Sequence, residues 1–289
     1  MDTFFEIKIP KSVNNDQIYK ETINITREID LKLNRYNDKS EISEINRRGF
    51  SKNVKVSTET INVIKRSIFY SEISDGYFDI TFEPIQNLFK FNTEIQILPD
   101  RSEIEEAKKL VNYKYIDIDT QNGEIRILKE GVILNLSSII KGYTLDRVSE
   151  YFNNMNVPEY YLNFGGNLLI KSREGLVAGI KHPRKEEIIS KIFVSNTSVS
   201  TSADYHQFFE KDGVRYIHII DPKTGNAAFK KQSVTAVTKK GIDSDFLSTI
   251  IFILDNEKSK YLIDNYFPGS GYLIIEDEKI SYEYNILFK

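Results

Sequence analysis

The sequence predicts a fold that mixes α-helices with β-strands. Apolar residues recur at helical spacing across Asp16–Leu33 and Thr58–Glu72, as in amphipathic helices. Val132–Leu136 and Ser233–Thr238 carry instead the apolar and β-branched residues typical of strands. The 289 residues, 40% of them hydrophobic, are enough to bury a sizeable core. Because no linker-like stretch interrupts them, we expect a single domain over residues 1–289.

The composition narrows the classes of function. The 39 Lys and Arg residues against 42 Asp and Glu give a net charge of -3, which provides no basic surface for nucleic acid or anionic lipid. The absence of cysteine excludes disulfides, thiolate metal sites and cysteine nucleophiles. Apolar stretches such as Thr249–Leu254 are far shorter than the roughly 18 residues of a membrane span. Partners must therefore be inferred from a specific site.

The first ten residues, M-D-T-F-F-E-I-K-I-P, alternate like a strand. They lack the basic start, apolar core and small-residue cleavage site of a signal peptide. We therefore expect either a cytoplasmic protein or one whose export signal is absent from this sequence.

The remaining scaffold elements follow from capping residues and periodicity. Asn15 or Asp16 is placed to cap the first helix, and Ser40 to start a short helix. The other predicted elements are a surface helix at Asp100–Val111, a hairpin of Tyr115–Asp119 with Glu124–Leu128, a helix through Tyr151, and a helix followed by two strands in Tyr261–Lys289.

The stretch Val199–Gly225 concentrates hydroxyl, carboxylate and aromatic side chains together with His218, one of three histidines. Tyr216–Ile220 has the composition of a strand, in which alternation places His218 opposite the neighbouring isoleucines. The strand leads into a turn at Asp221–Gly225. His218 is therefore either a functional side chain or an ordinary histidine satisfied on a sheet face.

Three other places have compositions that suit a ligand site or plain structure. Asp79 follows two aromatic residues and is able to cap a local turn. Val132–Leu136 runs through small residues into a helix, which directs backbone groups at an anion but also occurs for packing alone. Gly165 and Gly166 interrupt the predicted strand Tyr160–Ile170, which indicates a bulge or the close approach of another group.

Asp245 and Thr249 form a further pair. We expect Asp243 or Ser244 to cap a helix whose first turn carries Asp245. Thr249 then lies one turn later on the same face, and the two side chains form a hard oxygen pair suited to Mg²⁺. The helix dipole favours the ionised carboxylate. Such pairs also arise by chance, so the spacing alone leaves a structural role open.

Taken in order, these segments resemble the motifs of the ApbE-type FAD:protein FMN transferases. Leu33–Asn46 resembles the early flavin-side motif, in which an aromatic residue precedes Ser-Glu and an Asn. Gly76–Pro84 fits G-x-F-D-x-T-x-x-P, and T-S-A-D-Y with H-I-I-D-P-K-T-G resembles the paired signature of the family. Three more motifs, D-L-S/G-x-I-A-K-G-Y-x-x-D, N-x-G-G-D/N and A-D-A-x-x-T, are similar to Asn135–Asp146, Asn163–Asn167 and Ser244–Thr249.

The chain departs from these motifs at several positions. Asn135 replaces an Asp, Ile140 a small residue, Ala203 the Gly of T-S-G, and Ser244 and Phe246 two alanines. The alanine at position 203 is expected to be strained if its backbone needs a positive φ.

The resemblance implies an α+β fold, with mixed sheets and helices in two closely packed lobes and the cofactor cleft between them. It implies a Mg²⁺-dependent FAD:protein FMN transferase, which moves FMN from FAD to a threonine hydroxyl of an acceptor flavoprotein and releases AMP. The alternatives are an FAD pyrophosphatase, which forms FMN and AMP, and a non-enzymatic flavin-binding protein. Asp245, Thr249 and His218 argue against a mere carrier, which needs no metal-phosphate chemistry.

The resemblance also implies partners and a location. FAD is the implied substrate, Mg²⁺ the metal, and the acceptor a flavoprotein subunit of a membrane redox system. The implied location is extracytoplasmic and membrane-associated, with a cytoplasmic one as the alternative. Neither a nucleic-acid partner nor a transmembrane segment is expected.

Carried over residue by residue, the resemblance assigns roles to single positions. His218 is implied as the catalytic base. The implied metal ligands are Asp245, Thr249 and the backbone carbonyl of Ser138. The implied cofactor-binding residues are Tyr36, Tyr77, Phe78, Asp79, Lys141, Gly165, Gly166, Ser202 and Asp221.

Overall fold

The structure is a computed structural model that describes residues 3–13, 15–91 and 98–286. Its helices are α1 (Asn15–Leu33), α2 (Glu41–Arg48), α3 (Thr58–Ile73), α4 (Glu83–Phe89), α5 (Arg101–Lys108), α6 (Ile140–Asn154), α7 (Gly241–Ile253) and α8 (Asn256–Tyr266). Its strands are β1 (Phe5–Lys8), β2 (Val54–Lys55), β3 (Ile116–Asp119), β4 (Glu124–Ile127), β5 (Tyr160–Phe164), β6 (Asn167–Lys171), β7 (Leu176–Lys181), β8 (Ile188–Val194), β9 (Thr197–Ala203), β10 (Phe208–Lys211), β11 (Val214–Ile217), β12 (Ser233–Thr238), β13 (Gly271–Glu276) and β14 (Lys279–Tyr284). The predicted mixture of helices and strands is confirmed. The outer ends of the first and last predicted strands, Met1–Asp2 and 287–289, lie outside the described residues.

The chain divides into two compact units, which we call the first and the second. The first unit comprises Met1–Arg27, Ser138–His206 and Phe229–Lys289, and the second comprises Glu28–Ser137 and Gln207–Ala228. No helix in the described part of the chain is both long and apolar enough to cross a membrane.

The first unit is built on a seven-stranded antiparallel sheet in the order β1-β5-β6-β9-β12-β13-β14. Helices α6 and α7 pack on its strands and against each other. The β7–β8 ribbon packs through Ala178 and Ile192 against sheet residues such as Val199 and Leu273. Because side chains alternate along β9, Val199 enters this apolar cluster while its serine neighbours point away from it.

The second unit contains a three-stranded sheet, β2-β4-β3, and the two-stranded ribbon β10-β11. Ile85, Phe89, Ala107, Phe209 and Ile220 form an apolar core that joins α4, α5 and the ribbon. Tyr77, Phe78 and Asp79, three of the predicted flavin-side residues, lie in the segment that leads into α4.

The prediction of a strand at Val132–Leu136 is wrong. Leu134 exchanges both of its backbone hydrogen bonds with the side chain of Asn46, at 2.8 and 3.0 Å. The backbone N–H of Asn135 donates to the carbonyl of Ile80 at 2.7 Å. The segment is apolar and buried, but the partners of its backbone are a side chain and a loop rather than a neighbouring strand.

Three further boundaries differ from the sequence-based prediction. The strand expected over Tyr216–Ile220 ends at Ile217, so His218 lies in a bend. The helix expected over Asp100–Val111 is limited to α5, with Asp100 and Glu103 forming a capping box. The first helix begins at Asn15, so Asn15 and Asp16 both lie in its first turn and the prediction that either one caps it is wrong.

The paired glycines form a hairpin turn instead of interrupting one strand. Phe164 pairs with Asn167 across Gly165 and Gly166, whose φ angles are +58° and +94°. A two-residue hairpin with positive φ at both positions favours glycine, which explains the pair without a bulge. The prediction of one interrupted strand over Tyr160–Ile170 is therefore wrong.

Candidate functional site

The predicted site residues fall into two groups, one in each unit. The first unit carries Ser138, Lys141, Gly165, Gly166, Ser202, Asp245 and Thr249. The second unit carries Tyr36, Tyr77, Phe78, Asp79, His218 and Asp221.

Asp245 is a buried residue of α7, and its carboxylate lies at the start of α6. Its Oδ2 accepts a hydrogen bond of 2.9 Å from the backbone N–H of Gly142, in the first turn of that helix. Burial raises the pKa of Asp245, and the nearby Lys141 ammonium and the Gly142 N–H act in the opposite direction. Asp245 therefore caps α6 although it belongs to α7.

Asp146 of α6 in turn caps α7. Its carboxylate accepts from the backbone N–H groups of Gly241, at 2.5 Å, and Ile242, at 2.9 Å. Burial raises the pKa of Asp146 to about 6, against the effect of these hydrogen bonds. The prediction that Asp243 or Ser244 caps this helix is wrong, because α7 begins at Gly241 and its cap comes from α6.

This arrangement moves Asp245 into the second turn of α7. The predicted effect of the α7 dipole on Asp245 is therefore replaced by direct hydrogen bonding at the N-terminus of α6. The two helices approach closely: a Cβ atom on Gly142 would lie 2.0 Å from the carbonyl oxygen of Gly241. Glycine at both positions permits the contact that brings each carboxylate to the other helix.

Hydroxyl groups line the contact between β9 and α7. Ser202 Oγ lies 3.0 Å from Ser248 Oγ and 3.3 Å from Thr249 Oγ1. Thr249 Oγ1 also lies 3.2 Å from the backbone carbonyl oxygen of Asp245, to which it donates. Ser202 and Thr249, assigned to cofactor and metal, are thus direct neighbours.

Ser244, which departs from the family motif, belongs to the same hydroxyl stripe. Its Oγ lies 2.9 Å from Ser198 Oγ and 2.8 Å from Ser200 Oγ. Serines on β9 therefore satisfy the hydroxyl that replaces an alanine. Ala203, the other notable departure, lies within β9 opposite Ser233 and is not among the residues with positive φ, so the expected strain does not arise.

The oxygen atoms of this group have the chemistry that Mg²⁺ prefers. Asp245 supplies a carboxylate, Thr249 a hydroxyl, and the half-buried Ser138 a carbonyl in the turn before α6. Within residues 3–13, 15–91 and 98–286, three or more His, Asp or Glu side chains nowhere form a metal cage. By donor chemistry these three oxygens fit a Mg²⁺ ion, whose further ligands would be water or phosphate oxygens.

The hairpin turn at Gly165 and Gly166 has different surroundings at its two positions. A Cβ atom on Gly165 would lie 2.4 Å from Thr3 Oγ1, whereas one on Gly166 would meet open space. Asn163 Oδ1 accepts from the Gly166 N–H at 2.9 Å and fixes the turn. Gly165 is explained by backbone geometry and Thr3, and the space beside Gly166 is compatible with its predicted role near a cofactor.

In the second unit, Tyr36 is an exposed aromatic ring. Its side chain is 63% exposed, and the guanidinium of Arg35 lies 4.5 Å from the ring centroid. Burial of the hydroxyl and the charge of Glu83 raise the pKa of Tyr36. The ring is therefore held by a charged neighbour while most of its surface remains open.

Tyr77 and Phe78 differ in how accessible their rings are to a ligand. The Lys223 ammonium lies 4.3 Å from the centroid of the Tyr77 ring and 2.5 Å from Asp75 Oδ2. Phe78 is buried at 5% exposure, with its ring edge-on to Tyr70 at 6.0 Å. Tyr77 is thus the more accessible of the two predicted flavin-side rings.

Asp79 is engaged in local structure. Its carboxylate accepts from the Thr81 N–H at 2.8 Å, the Thr81 hydroxyl at 2.7 Å and the Tyr113 N–H at 2.8 Å. Burial raises the pKa of Asp79 against these hydrogen bonds. The local cap that the sequence suggests is present, and any contact with the cofactor would be additional to it.

Asp221 and His218 lie on either side of a short bridge between Ile220 and Ala227. The Asp221 carboxylate accepts from the Lys223 N–H and the Thr224 hydroxyl, both at 2.9 Å, within its own turn. His218 is half-buried, and its Nδ1 lies 3.2 Å from the carbonyl oxygen of Gln207. Because a carbonyl only accepts, Nδ1 carries a proton in this contact, and in the neutral ring the lone pair is then on Nε2.

The model of the ApbE family matches residues 1–274. The chain belongs to the ApbE family. Proteins named FAD:protein FMN transferase are similar over most of their lengths. The one from Vibrio cholerae is 28% identical over 272 residues, which cover 89% of this chain and 80% of the relative. The one from Treponema pallidum is 27% identical over 282 residues, which cover 90% and 77%.

Solved structures of the ApbE family agree with this assignment. The ApbE protein from Thermotoga maritima is 30% identical with a TM-score of 0.87, and the match covers 96% of each chain. The flavin transferase ApbE from Vibrio cholerae has a TM-score of 0.84 over 99% of this chain and 94% of its own. At 24% identity, that second likeness supports the fold alone.

The sequence does not predict two side-chain contacts made by residues of the family motifs in this ApbE-family chain. Asp146 has no implied role in its motif, and its partners Gly241 and Ile242 lie 95 and 96 residues further along the chain. Glu83, at an unspecified motif position, pairs with Arg35 beside Tyr36. No periodicity or spacing signals either contact, although a charged residue in an otherwise apolar stretch is a reason to look for a partner.

Proposed function

We propose that this protein is an FAD:protein FMN transferase. In the proposed reaction a threonine hydroxyl of an acceptor protein attacks the FMN-side phosphorus of FAD. A bond forms between the threonine oxygen and phosphorus, the pyrophosphate bond breaks, and AMP leaves. The observation that carries the proposal is the match to the ApbE family along residues 1–274, where the similar relatives bear this name.

The metal-binding role is proposed for Asp245, Thr249 and the Ser138 carbonyl. Bound Mg²⁺ would neutralise phosphate charge and stabilise the charge that develops on the transferring phosphoryl group. The chain itself orients Asp245 through the Gly142 N–H and holds Thr249 beside Ser202. These contacts support fixed ligand positions, because each side chain already has a defined partner.

The proposed general base is His218. The contact with the Gln207 carbonyl supports the tautomer whose Nε2 can accept a proton. In the proposed step Nε2 removes the hydroxyl proton as the threonine oxygen bonds to phosphorus. The backbone N–H of His218 also donates to Gln207, at 3.1 Å, so both ends of the residue are anchored.

The aromatic side chains Tyr36 and Tyr77 are proposed to hold the isoalloxazine ring and to keep water from the phosphorus. Shielding matters because water is the competing nucleophile, and an unshielded site would hydrolyse FAD. The acceptor is proposed to be a flavoprotein subunit of a membrane redox system, and the location extracytoplasmic. The cofactor cleft between two lobes stays a prediction.

Release of AMP with and without an acceptor tests the proposal. The protein is incubated with FAD and Mg²⁺, alone or with a flavoprotein subunit that carries a candidate threonine. A transferase releases AMP in proportion to acceptor and little without it. AMP and FMN released at the same rate in both mixtures would favour the FAD pyrophosphatase, and binding of FAD without AMP would favour a flavin-binding protein.

A further inference from the structure

We propose that Arg35, Glu83 and Asn135 form a positioning network that holds the exposed ring of Tyr36 for a stacked planar ligand. That the ligand is the flavin of FAD rests on the proposed function. The network itself rests on contacts within the second unit.

Glu83 is the centre of the network. It lies at the first position of α4, is 2% exposed, and uses both carboxylate oxygens. Oε1 pairs with the guanidinium of Arg35, and Oε2 accepts from the Asn135 amide at 2.5 Å. A buried ion pair contributes little net stability because desolvation opposes the attraction, so its clearest effect is to fix geometry.

Arg35 transmits that geometry to Tyr36. Its side chain is 17% exposed and lies 4.5 Å from the ring centroid. A guanidinium stacked on an aromatic ring stabilises one orientation of the ring. Because Glu83 anchors the guanidinium, the ring is oriented before a ligand arrives, and less freedom is lost on binding.

Asn135 completes the network by donating and accepting at the same time. Its Nδ2 donates to Glu83, while its Oδ1 accepts from the N–H and the hydroxyl of Ser137 at 2.8 and 2.5 Å. An aspartate at position 135 cannot donate unless it is protonated, and it would set two carboxylates against each other. Glu83 therefore favours an amide at position 135, where the family motif has an aspartate.

The sequence contains no tryptophan, so Tyr36→Trp supplies a single fluorescent reporter on the ring. In this background we compare Glu83→Gln, Asn135→Asp and the double variant, measuring acrylamide quenching of the tryptophan without flavin. Each single variant is expected to raise the quenching constant about twofold. Glu83→Gln sets two amide donors against each other and Asn135→Asp sets two carboxylates against each other, and either mismatch loosens the anchor of the guanidinium. The double variant is expected to return near the parent value, since the glutamine donates and the aspartate accepts.

FAD affinity is measured in parallel in the chain that keeps Tyr36. The single variants are expected to weaken binding about threefold to tenfold, and the double variant to recover most of the loss. The matched control is Glu44→Gln, which neutralises a carboxylate paired with Arg47 and Arg48 on the surface of α2 and should change neither quantity. Arg35→Lys keeps the charge but not the planar group, so it should change both quantities as the single variants do. It replaces a single variant that fails to fold.

Two results would overturn the proposal. One is a folded Glu83→Gln protein whose tryptophan is quenched like the parent. The other is a double variant whose quenching constant and FAD affinity are no closer to the parent values than those of the single variants. That result would mean that the three residues contribute only to general stability. Because the quenching experiment needs no flavin, a protein that transfers no FMN would contradict the proposed function while leaving this test decisive.

Discussion

Asp146 and Asp245 each cap the helix on which the other lies. Asp146 of α6 binds the first N–H groups of α7, and Asp245 of α7 binds the N–H of Gly142 in the first turn of α6. The proposed metal ligand is thus part of the same structure that starts the helix after Ser138. Stability and metal binding can be separated because only one of the two carboxylates is a proposed ligand.

The stability of the protein should depend on pH through Asp146. Its folded-state pKa of about 6 exceeds the ordinary value of 3.8, so the folded state binds more protons between these values. Unfolding free energy should therefore fall as pH rises through this window, by at most about 3 kcal/mol for a shift of about two units. Asp146→Asn removes this component. Urea unfolding of both proteins from pH 4 to 7 measures it. A difference in unfolding free energy between the two proteins that does not change with pH would contradict the raised pKa of Asp146.

Gly142→Ala should destabilise the protein although it replaces glycine inside a helix. Helix propensity alone predicts that the unfolding free energy rises by about 1 kcal/mol. The added Cβ would meet the carbonyl of Gly241 at 2.0 Å, and such overpacking costs roughly 1–3 kcal/mol or more. Denaturant unfolding gives the sign, with Asn154→Ala at the exposed end of α6 as the control. A more stable Gly142→Ala protein would show that the helices do not pack as described.

Asp245→Asn should keep the fold and lose Mg²⁺-dependent AMP release by roughly a hundredfold or more, since the anionic ligand is gone. The amide oxygen can still accept from Gly142, so the cap is largely retained. Asp146→Asn is the matched control, because it alters a cap without altering a proposed ligand. Equal losses in the two variants, or wild-type release unchanged in excess chelator, would argue against the metal role.

His218→Asn should lower the turnover number on the order of 10²-fold or more, the usual effect of losing a general base. FAD affinity should be preserved, because the proposed role begins only when the threonine proton is removed. Single-turnover AMP release at saturating FAD separates the chemical step from binding. A variant with normal turnover would identify His218 as an ordinary histidine anchored to Gln207.

The sequence predicted elements well where the signal is local. Helices α1 and α3 follow from apolar periodicity, the start of α2 follows from the Ser40 cap, and β12 follows from its β-branched residues. Family motifs add the candidate site residues, which periodicity alone does not distinguish from scaffold.

The errors occur where distant residues decide the structure. Val132–Leu136 has the composition of a strand, but Asn46 and the Ile80 carbonyl take its hydrogen bonds. The start of α7 depends on Asp146, and the partner of Glu83 is Arg35, 48 residues earlier. The local spacing of residues does not indicate such contacts, so only the structure identifies them.

The most direct test of the central claim is the mass of the acceptor after reaction with this protein, FAD and Mg²⁺. Transfer predicts an acceptor heavier by one FMN less a water, with the added mass on a threonine and absent when that threonine is replaced by alanine. An unmodified threonine across a panel of acceptor domains, with FAD nonetheless consumed to FMN and AMP, would contradict the transferase assignment.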